Sequence, residues 1–81
     1  MELDLSPREF DLLYTLAAQA GQVISADMLL AGVWGAGFEG EPQVVYVTIS
    51  KLRDKLAGIP DHPLRIVTVH RVGYKLLKED A

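Results

Sequence analysis

The sequence of 81 residues contains no cysteine, which excludes disulfide bridges and metal sites built from thiolates. It also lacks an apolar segment long enough to span a bilayer, because the longest one, residues 28–38, is short and contains three glycines. The sequence does not start with basic residues followed by an apolar run, which is the pattern of a signal peptide. We therefore expect a cytoplasmic protein that has no membrane partner.

Residues arranged for catalysis are also missing. No serine has the spacing of a nucleophile to a histidine base, and no pair of carboxylates falls in an identifiable pocket. The two histidines, His62 and His70, lack the spacing of metal ligands, and His62 lies between Asp61 and Pro63 as a turn residue would. The sequence predicts no enzyme, no metal site and no cofactor.

Positive charge is scarce in the first part of the chain. Residues 1–50 carry one basic and seven acidic residues, whereas residues 51–81 carry seven basic and four acidic ones. The net charge of -3 argues at first against nucleic-acid binding. Binding to phosphates depends on the local basic patch, however, so the second part of the chain remains suited to it. A chance asymmetry of charge is the alternative explanation.

The amino-terminal part predicts a short strand and a helix. Residues 1–5 alternate apolar and acidic side chains, which is typical of a half-buried strand. Ser6, Pro7 and Glu9 have the order of an N-cap, a first helical residue and a capping box, which predicts a helix over residues 7–20. Along this helix, one apolar stripe at helical spacing consists of Phe10, Leu13, Tyr14 and Ala17.

Two more helices and a hairpin follow. Ser25 caps a predicted helix over residues 26–34, and a glycine-containing loop leads to a third helix over residues 43–56. Branched residues predict strands over residues 64–69 and 74–77, joined as a hairpin through residues 70–73. Inward-facing positions are Leu29, Leu30, Val33 and Trp34 in the second helix and Val45, Ile49, Leu52 and Leu56 in the third. The fold class is therefore α+β, in a single domain over residues 1–81.

The third helix presents an outer face with two branched apolar residues, Val44 and Val47, beside Lys51. Branched residues are mediocre helix formers, so their exposure suggests a benefit elsewhere. In a DNA major groove, valine packs on thymine methyl groups and lysine donates to guanine or phosphate. A solvated face and a protein-binding patch are the alternatives that the residues alone leave open. The hairpin adds a basic cluster of Arg65, His70, Arg71 and Lys75.

Four segments, in this order and spacing, resemble the effector domain of OmpR/PhoB-type response regulators. They are Leu5-Ser6-Pro7-Arg8-Glu9-Phe10, Val33-Trp34-Gly35, Val47-Thr48-Ile49-Ser50-Lys51-Leu52-Arg53-Asp54-Lys55-Leu56 and Thr68-Val69-His70-Arg71-Val72-Gly73-Tyr74-Lys75-Leu76. The resemblance covers nearly the whole chain. It implies a winged helix-turn-helix with short amino-terminal strands, three helices and a carboxy-terminal β-hairpin wing.

The resemblance also implies sequence-specific binding to double-stranded DNA, with helix 43–56 in the major groove and hairpin 64–77 as the wing. The candidate DNA-binding residues are Gln43, Val47, Thr48, Ser50, Lys51, Arg53, Lys55, Thr68, His70 and Arg71, and Trp34 is a candidate contact to the DNA backbone. The implied partners are promoter half-sites, a second copy on the DNA, a phosphorylated receiver domain earlier in the same chain, and RNA polymerase. The chain would then be a fragment of a longer two-component regulator.

Several positions depart from the family pattern. The family usually has arginine near Gln43, aspartate at Tyr46, histidine at Thr48, and arginine-glycine where His70-Arg71 stands. Losing arginines at contact positions weakens phosphate binding, by about one unit of salt slope for each contact. Arginine at position 71 alters the wing turn if that position requires positive φ. A winged-helix protein-interaction module with weakened DNA affinity is therefore the alternative function.

Overall fold

The computed structural model describes residues 4–35, 37 and 41–78. Its elements follow one another as three helical segments and a two-stranded antiparallel hairpin, the α+β order expected from the sequence. The strand predicted over residues 1–5 falls partly outside the described residues, and Asp4 and Leu5 belong to no strand. Within the described ranges, no helix is both long and apolar enough to cross a membrane.

The first helix, α1 (Pro7–Ala18), begins with the predicted capping box. The Glu9 amide donates to Ser6 Oγ at 3.2 Å, and the Ser6 amide donates to Glu9 Oε1 at 2.9 Å. These two bonds satisfy backbone donors that a helix start otherwise leaves without partners. The helix ends two residues before the predicted end, and Gly21 follows with a φ of 86°.

The inward face of α1 differs from the predicted stripe. Phe10 and Tyr14 are 56% and 65% exposed, and their rings stack on each other at 6.3 Å. The buried face consists of Glu9, Leu12 and Leu16. Of the apolar stripe, Leu13 packs against the core, whereas Phe10, Tyr14 and Ala17 are exposed, so most of the stripe faces solvent. Glu9, and not an aromatic residue, lies on the buried face, because its carboxylate is paired with Lys55.

The second helical segment is continuous from Ala26 to Trp34 but changes type. It starts as α2 (Ala26–Leu29), whose N-cap Ser25 accepts from the Met28 amide at 3.1 Å. It then widens into a π-helical turn, Leu30–Trp34, that ends at Gly35 with a φ of 84°. The predicted inward residues are confirmed, since Leu29 and Leu30 are buried and Val33 and Trp34 pack against the core.

The third helix, α3 (Gln43–Ala57), matches its predicted range to within one residue. Its buried residues are the four predicted ones, Val45, Ile49, Leu52 and Leu56. They join residues of α1, α2 and the hairpin in one hydrophobic core. This packing fixes which side of α3 remains in solvent.

The hairpin consists of β1 (Leu64–Val69) and β2 (Gly73–Lys78), paired from Leu64 opposite Lys78 to Val69 opposite Gly73. The free edge of β2 is covered by the link between the first two helices. Ile24 and Tyr74 exchange two backbone hydrogen bonds of 2.8 and 2.9 Å, and the Gly21 amide donates to Leu76 O at 2.8 Å. The hairpin is thereby tied to the helices along β2, from Leu76 to Tyr74 beside the turn, while the turn residues His70, Arg71 and Val72 are exposed.

Candidate nucleic-acid interface

The outer face of α3 is exposed because its opposite face forms the core. Its five outer residues, identified from helical spacing, are all exposed: Gln43, Val47, Ser50, Lys51 and Asp54. Val47 is 52% exposed, which confirms an apolar side chain in solvent. Lys51 has no ion pair with any described residue. The face therefore offers one apolar contact, one cation and several hydrogen-bonding groups along about two helical turns.

Two residues beside this face, Val44 and Thr48, make contacts within the fold. Val44 is half-buried and packs against the core, so the expectation that it is exposed like Val47 was wrong. The Thr48 hydroxyl donates to Val44 O at 2.8 Å, which leaves only its acceptor lone pairs for another molecule. Helical spacing alone does not distinguish these positions from the fully exposed ones.

Arg53 joins α3 to the hairpin. Its Nε donates to Ile66 O at 3.1 Å and its Nη2 donates to Thr68 Oγ1 at 2.5 Å. The same guanidinium lies over the Tyr74 ring, 5.9 Å from its centroid. Two predicted site residues, Arg53 and Thr68, are thus brought together, and the contact joins α3 to β1.

Tyr74 is the aromatic residue at this junction. Burial raises the pKa of the Tyr74 phenol, the neighbouring Tyr46 adds to the rise, and Arg53 opposes it. The Tyr46 ring lies 6.2 Å from the Tyr74 ring at an interplanar angle of 58°. The phenol therefore stays neutral at physiological pH and serves as a packing surface for its two neighbours.

Lys55 has an intramolecular partner. Its ammonium donates to Glu9 Oε1 and to Asp4 O, both at 2.6 Å. Glu9 is only 5% exposed. The hydrogen bond from Lys55 lowers the pKa of Glu9 most, followed by the one from the Ser6 amide. The structure thus gives Lys55 a role in holding α3 against the amino-terminal segment, away from the outer face that carries Lys51.

The wing tip carries two exposed residues, the histidine His70 and the arginine Arg71. The turn closes with the Val72 amide donating to Val69 O at 2.9 Å. Arg71 has a φ of 66° in this turn, a conformation that usually favours glycine or asparagine. The turn geometry is therefore kept with arginine in the left-handed region, and the side chain adds a cation at the tip.

Trp34 lies half-buried at the end of the π-helical turn. The Arg8 guanidinium is 5.4 Å from the centroid of the indole, and its Nη1 donates to Val33 O at 2.7 Å. Arg8 was not among the predicted site residues. Its partners Val33 and Trp34 lie 25 and 26 residues away, so only the position of arginine inside the helix-start segment could have indicated a role.

Comparison with known proteins adds independent information. Residues 1–76 match the family described as "Transcriptional regulatory protein, C terminal". The chain is 43% identical over 75 residues to the alkaline phosphatase synthesis transcriptional regulatory protein PhoP of Bacillus subtilis. That alignment covers 93% of this chain and 31% of PhoP, so the chain spans about a third of the relative's length.

Solved structures share the fold. The DNA-binding domain of CadC from E. coli superposes with a TM-score of 0.83 at 39% identity, covering 96% of this chain and 73% of that one. The DNA-binding domain of RstA from Klebsiella pneumoniae, in complex with the RstA box, gives 0.77 at 40% identity, with 93% and 74% covered. The winged-helix fold class is thus confirmed.

Proposed function

The chain belongs to the family of transcriptional regulatory protein C-terminal domains, and from this membership we propose that it binds double-stranded DNA sequence-specifically. The observation that carries the proposal is the outer face of α3, where Val47 and Lys51 are exposed on the side opposite the core. The RstA relative, whose DNA-binding domain is 40% identical, was solved in complex with the RstA box.

In this proposal α3 enters the major groove. Val47 packs on thymine methyl groups, and Lys51 donates to a guanine edge or a phosphate. Gln43, Ser50 and the Thr48 oxygen supply further hydrogen-bonding groups toward bases or phosphates. A major groove about 12 Å wide admits one helix, and the described outer face has no element of the fold in front of it.

The hairpin acts as the wing. His70 and Arg71 at its exposed tip contact the adjacent minor groove or its phosphates. Arg53 and Thr68 bond each other, so we assign them mainly to positioning the wing relative to α3. Lys55 has a similar positioning role through Glu9, and Trp34 remains a candidate contact to the DNA backbone.

The proposal extends to the regulator as a whole. We propose that this domain is the effector part of a two-component regulator with a receiver domain earlier in the chain. Support comes from the relative PhoP, of which the matched region is only 31%. Two copies would bind neighbouring half-sites near a promoter, where RNA polymerase is a further partner. Because this DNA lies in the cytoplasm, the domain acts there, without catalysis of its own.

Selection of bound sequences from a random duplex library at near-physiological salt tests the proposal. We expect enrichment of one motif and affinity that falls as salt is raised. Lys51→Ala and Arg71→Ala should each weaken binding and lower the salt slope by about one, with an unchanged thermal midpoint.

The matched control is Lys78→Ala, which removes an exposed cation from the opposite end of the hairpin. It should leave both affinity and salt slope close to those of the unsubstituted chain. Enrichment of no motif would contradict the proposal. Equal binding by the Lys51 variant would show that a different face contacts the DNA.

A further inference from the structure

Tyr46 occupies the side of α3 that faces the wing. It precedes Ser50 by four residues and Arg53 by seven, so the three side chains share one stripe of the helix. Arg53 reaches the hairpin from this stripe. Tyr46 lies about two turns closer to the amino-terminal end of α3 and is 51% exposed. It therefore stands at the corner between the helix and the wing.

The ring of Tyr46 is held by a fixed platform. Its neighbour Tyr74 is only 7% exposed, and the two rings are 6.2 Å apart. Tyr74 is itself fixed by two backbone hydrogen bonds to Ile24 and by the Arg53 guanidinium over its ring. A side chain packed in this way loses less conformational entropy when it binds than a free one does.

The polar end of Tyr46 is not used by the part of the chain that the structure describes. Its phenol has no hydrogen-bond partner among residues 4–35, 37 and 41–78, although half of the residue is in contact with solvent. Tyr74 beside it is only 7% exposed, so Tyr46 presents most of the exposed surface of the pair. An amphipathic ring with a fixed apolar face and a free donor is suited to a partner that accepts hydrogen bonds.

We propose that the Tyr46 hydroxyl donates a hydrogen bond to a backbone phosphate between the major groove occupied by α3 and the minor groove at the wing. This inference rests on the proposed DNA binding. One sugar-phosphate strand separates the two grooves, and it must pass the corner where α3 meets the hairpin. Tyrosine is one of the residue types that contact phosphate oxygens directly. The contact anchors the domain in register without reading a base.

A neutral donor has a distinct signature in solution. Because Tyr46 carries no charge, its contact releases no counterion, and its removal should leave the salt slope unchanged. Tyr46→Phe keeps the ring on Tyr74 and removes only the hydroxyl. We expect binding to be weaker by about tenfold or more at every salt concentration, as for the loss of one hydrogen bond to a charged acceptor.

The experiment measures dissociation constants of the whole chain for a duplex selected from a random library, at several salt concentrations. Tyr14→Phe is the matched control, since Tyr14 is 65% exposed on α1 and its ring lies at a similar distance, 6.3 Å, from the ring of Phe10. It should bind as the unsubstituted chain does. The thermal midpoint of Tyr46→Phe should also be unchanged, since the packing is kept.

Duplexes with single methylphosphonate substitutions locate the contact. At one phosphate between the two grooves, the methylphosphonate should weaken DNA binding by the protein with Tyr46 more than it weakens DNA binding by the Tyr46→Phe variant. If the unsubstituted chain binds and Tyr46→Phe binds equally well, the inference is overturned while the proposed function stands. If the unsubstituted chain selects no duplex at all, the proposed function itself fails.

Discussion

At the residue scale, Glu9 shows how one charged side chain connects two ends of the fold. Its carboxylate accepts from the Ser6 amide as part of the helix cap and from the Lys55 ammonium of α3. Burial of a carboxylate is unfavourable unless such donors compensate for lost hydration. The capping box was readable from the sequence. The burial of Glu9 was not, because its second partner is 46 residues away.

Glu9→Gln should lower the free energy of unfolding at pH 7 by about 1–2 kcal/mol. This loss is smaller than for a fully buried ion pair because Lys55 is partly exposed to solvent. The folded-state pKa of Glu9 is lowered, so its stabilisation is present above the ordinary glutamate pKa of about 4.3. It is lost as pH falls through the folded-state pKa. Urea unfolding from pH 7 to pH 3 should show a weaker pH dependence in the variant.

The control for this substitution is Asp11→Asn, which makes the same change in net charge at an exposed position of α1. It should retain the pH dependence of the unsubstituted chain. A Glu9→Gln variant with an undiminished loss of stability toward low pH would show that the Lys55 contact contributes nothing.

Arg71 connects strain with function at the wing tip. With a φ of 66°, arginine occupies a backbone region that costs about 1 kcal/mol or more for a side chain with Cβ. Arg71→Gly removes this strain at some cost in chain entropy, so the free energy of unfolding should rise by about 0.5 kcal/mol. DNA affinity should fall, because the cation is lost.

Calorimetry and binding titrations on the same preparation test whether Arg71→Gly raises the free energy of unfolding while it lowers DNA affinity. The control is Arg71→Ala, which removes the cation but keeps the strained backbone conformation, so its affinity should fall without a gain in stability. If the Arg71→Gly variant bound DNA as tightly as the chain with Arg71 does, the wing tip would have no role in the electrostatic contact with DNA.

At the element scale, the hairpin depends on a close approach to the link between α1 and α2. A Cβ at Gly73 would lie 2.2 Å from Ile24 O and 2.8 Å from Ser25 Cα. Only glycine allows the β2 backbone to pair with Ile24 here. The sequence suggested a hairpin turn at this glycine, but the need for glycine arises from a segment about fifty residues earlier.

Gly73→Ala should therefore destabilise the domain by about 2 kcal/mol or more, since backbone atoms must move to admit the methyl group. The matched control is Gly32→Ala in the π-helical turn, where a Cβ would meet no atom within 4 Å. Alanine at position 32 should be neutral or stabilising by up to about 1 kcal/mol. Equal thermal midpoints for the two variants would contradict the close approach.

The elements differ in how well local sequence predicted them. The range of β1 was predicted to the residue and that of α3 to within one residue, because apolar spacing, branched residues and turn residues agree there. The change from α2 to a π-helical turn carries no local signal. The inward face of α1 was also missed, because its most apolar stripe contains Phe10 and Tyr14, which lie outside.

At the scale of the whole molecule, internal contacts occupy part of the positive charge of α3. Of the basic residues in α3, Arg53 is bonded to the hairpin and Lys55 is paired with Glu9. Lys51 remains on the outer face, and Arg71 stands at the wing tip. Of the three cations of α3, one is thus left for phosphates, which predicts a small contribution of this helix to the salt dependence and a larger share of neutral contacts such as Val47.

The candidate site was predictable where it follows from the core. Once Val45, Ile49, Leu52 and Leu56 face inward, Val47 and Lys51 must face outward. The positions beside this face were not predictable in the same way. Thr48, Arg53 and Lys55 differ in role because of contacts to Val44, the hairpin and Glu9, and two of these contacts cross between elements.

In the proposed function, the outer face of α3 and the wing tip contact DNA. An NMR titration of the 8.9 kDa chain with its selected duplex tests this most directly. We expect backbone amide shifts to change most within residues 43–54 and 68–72, and little at Phe10 and Tyr14 on α1. Changes concentrated on the outer face of α1, with residues 43–54 unaffected, would contradict the account.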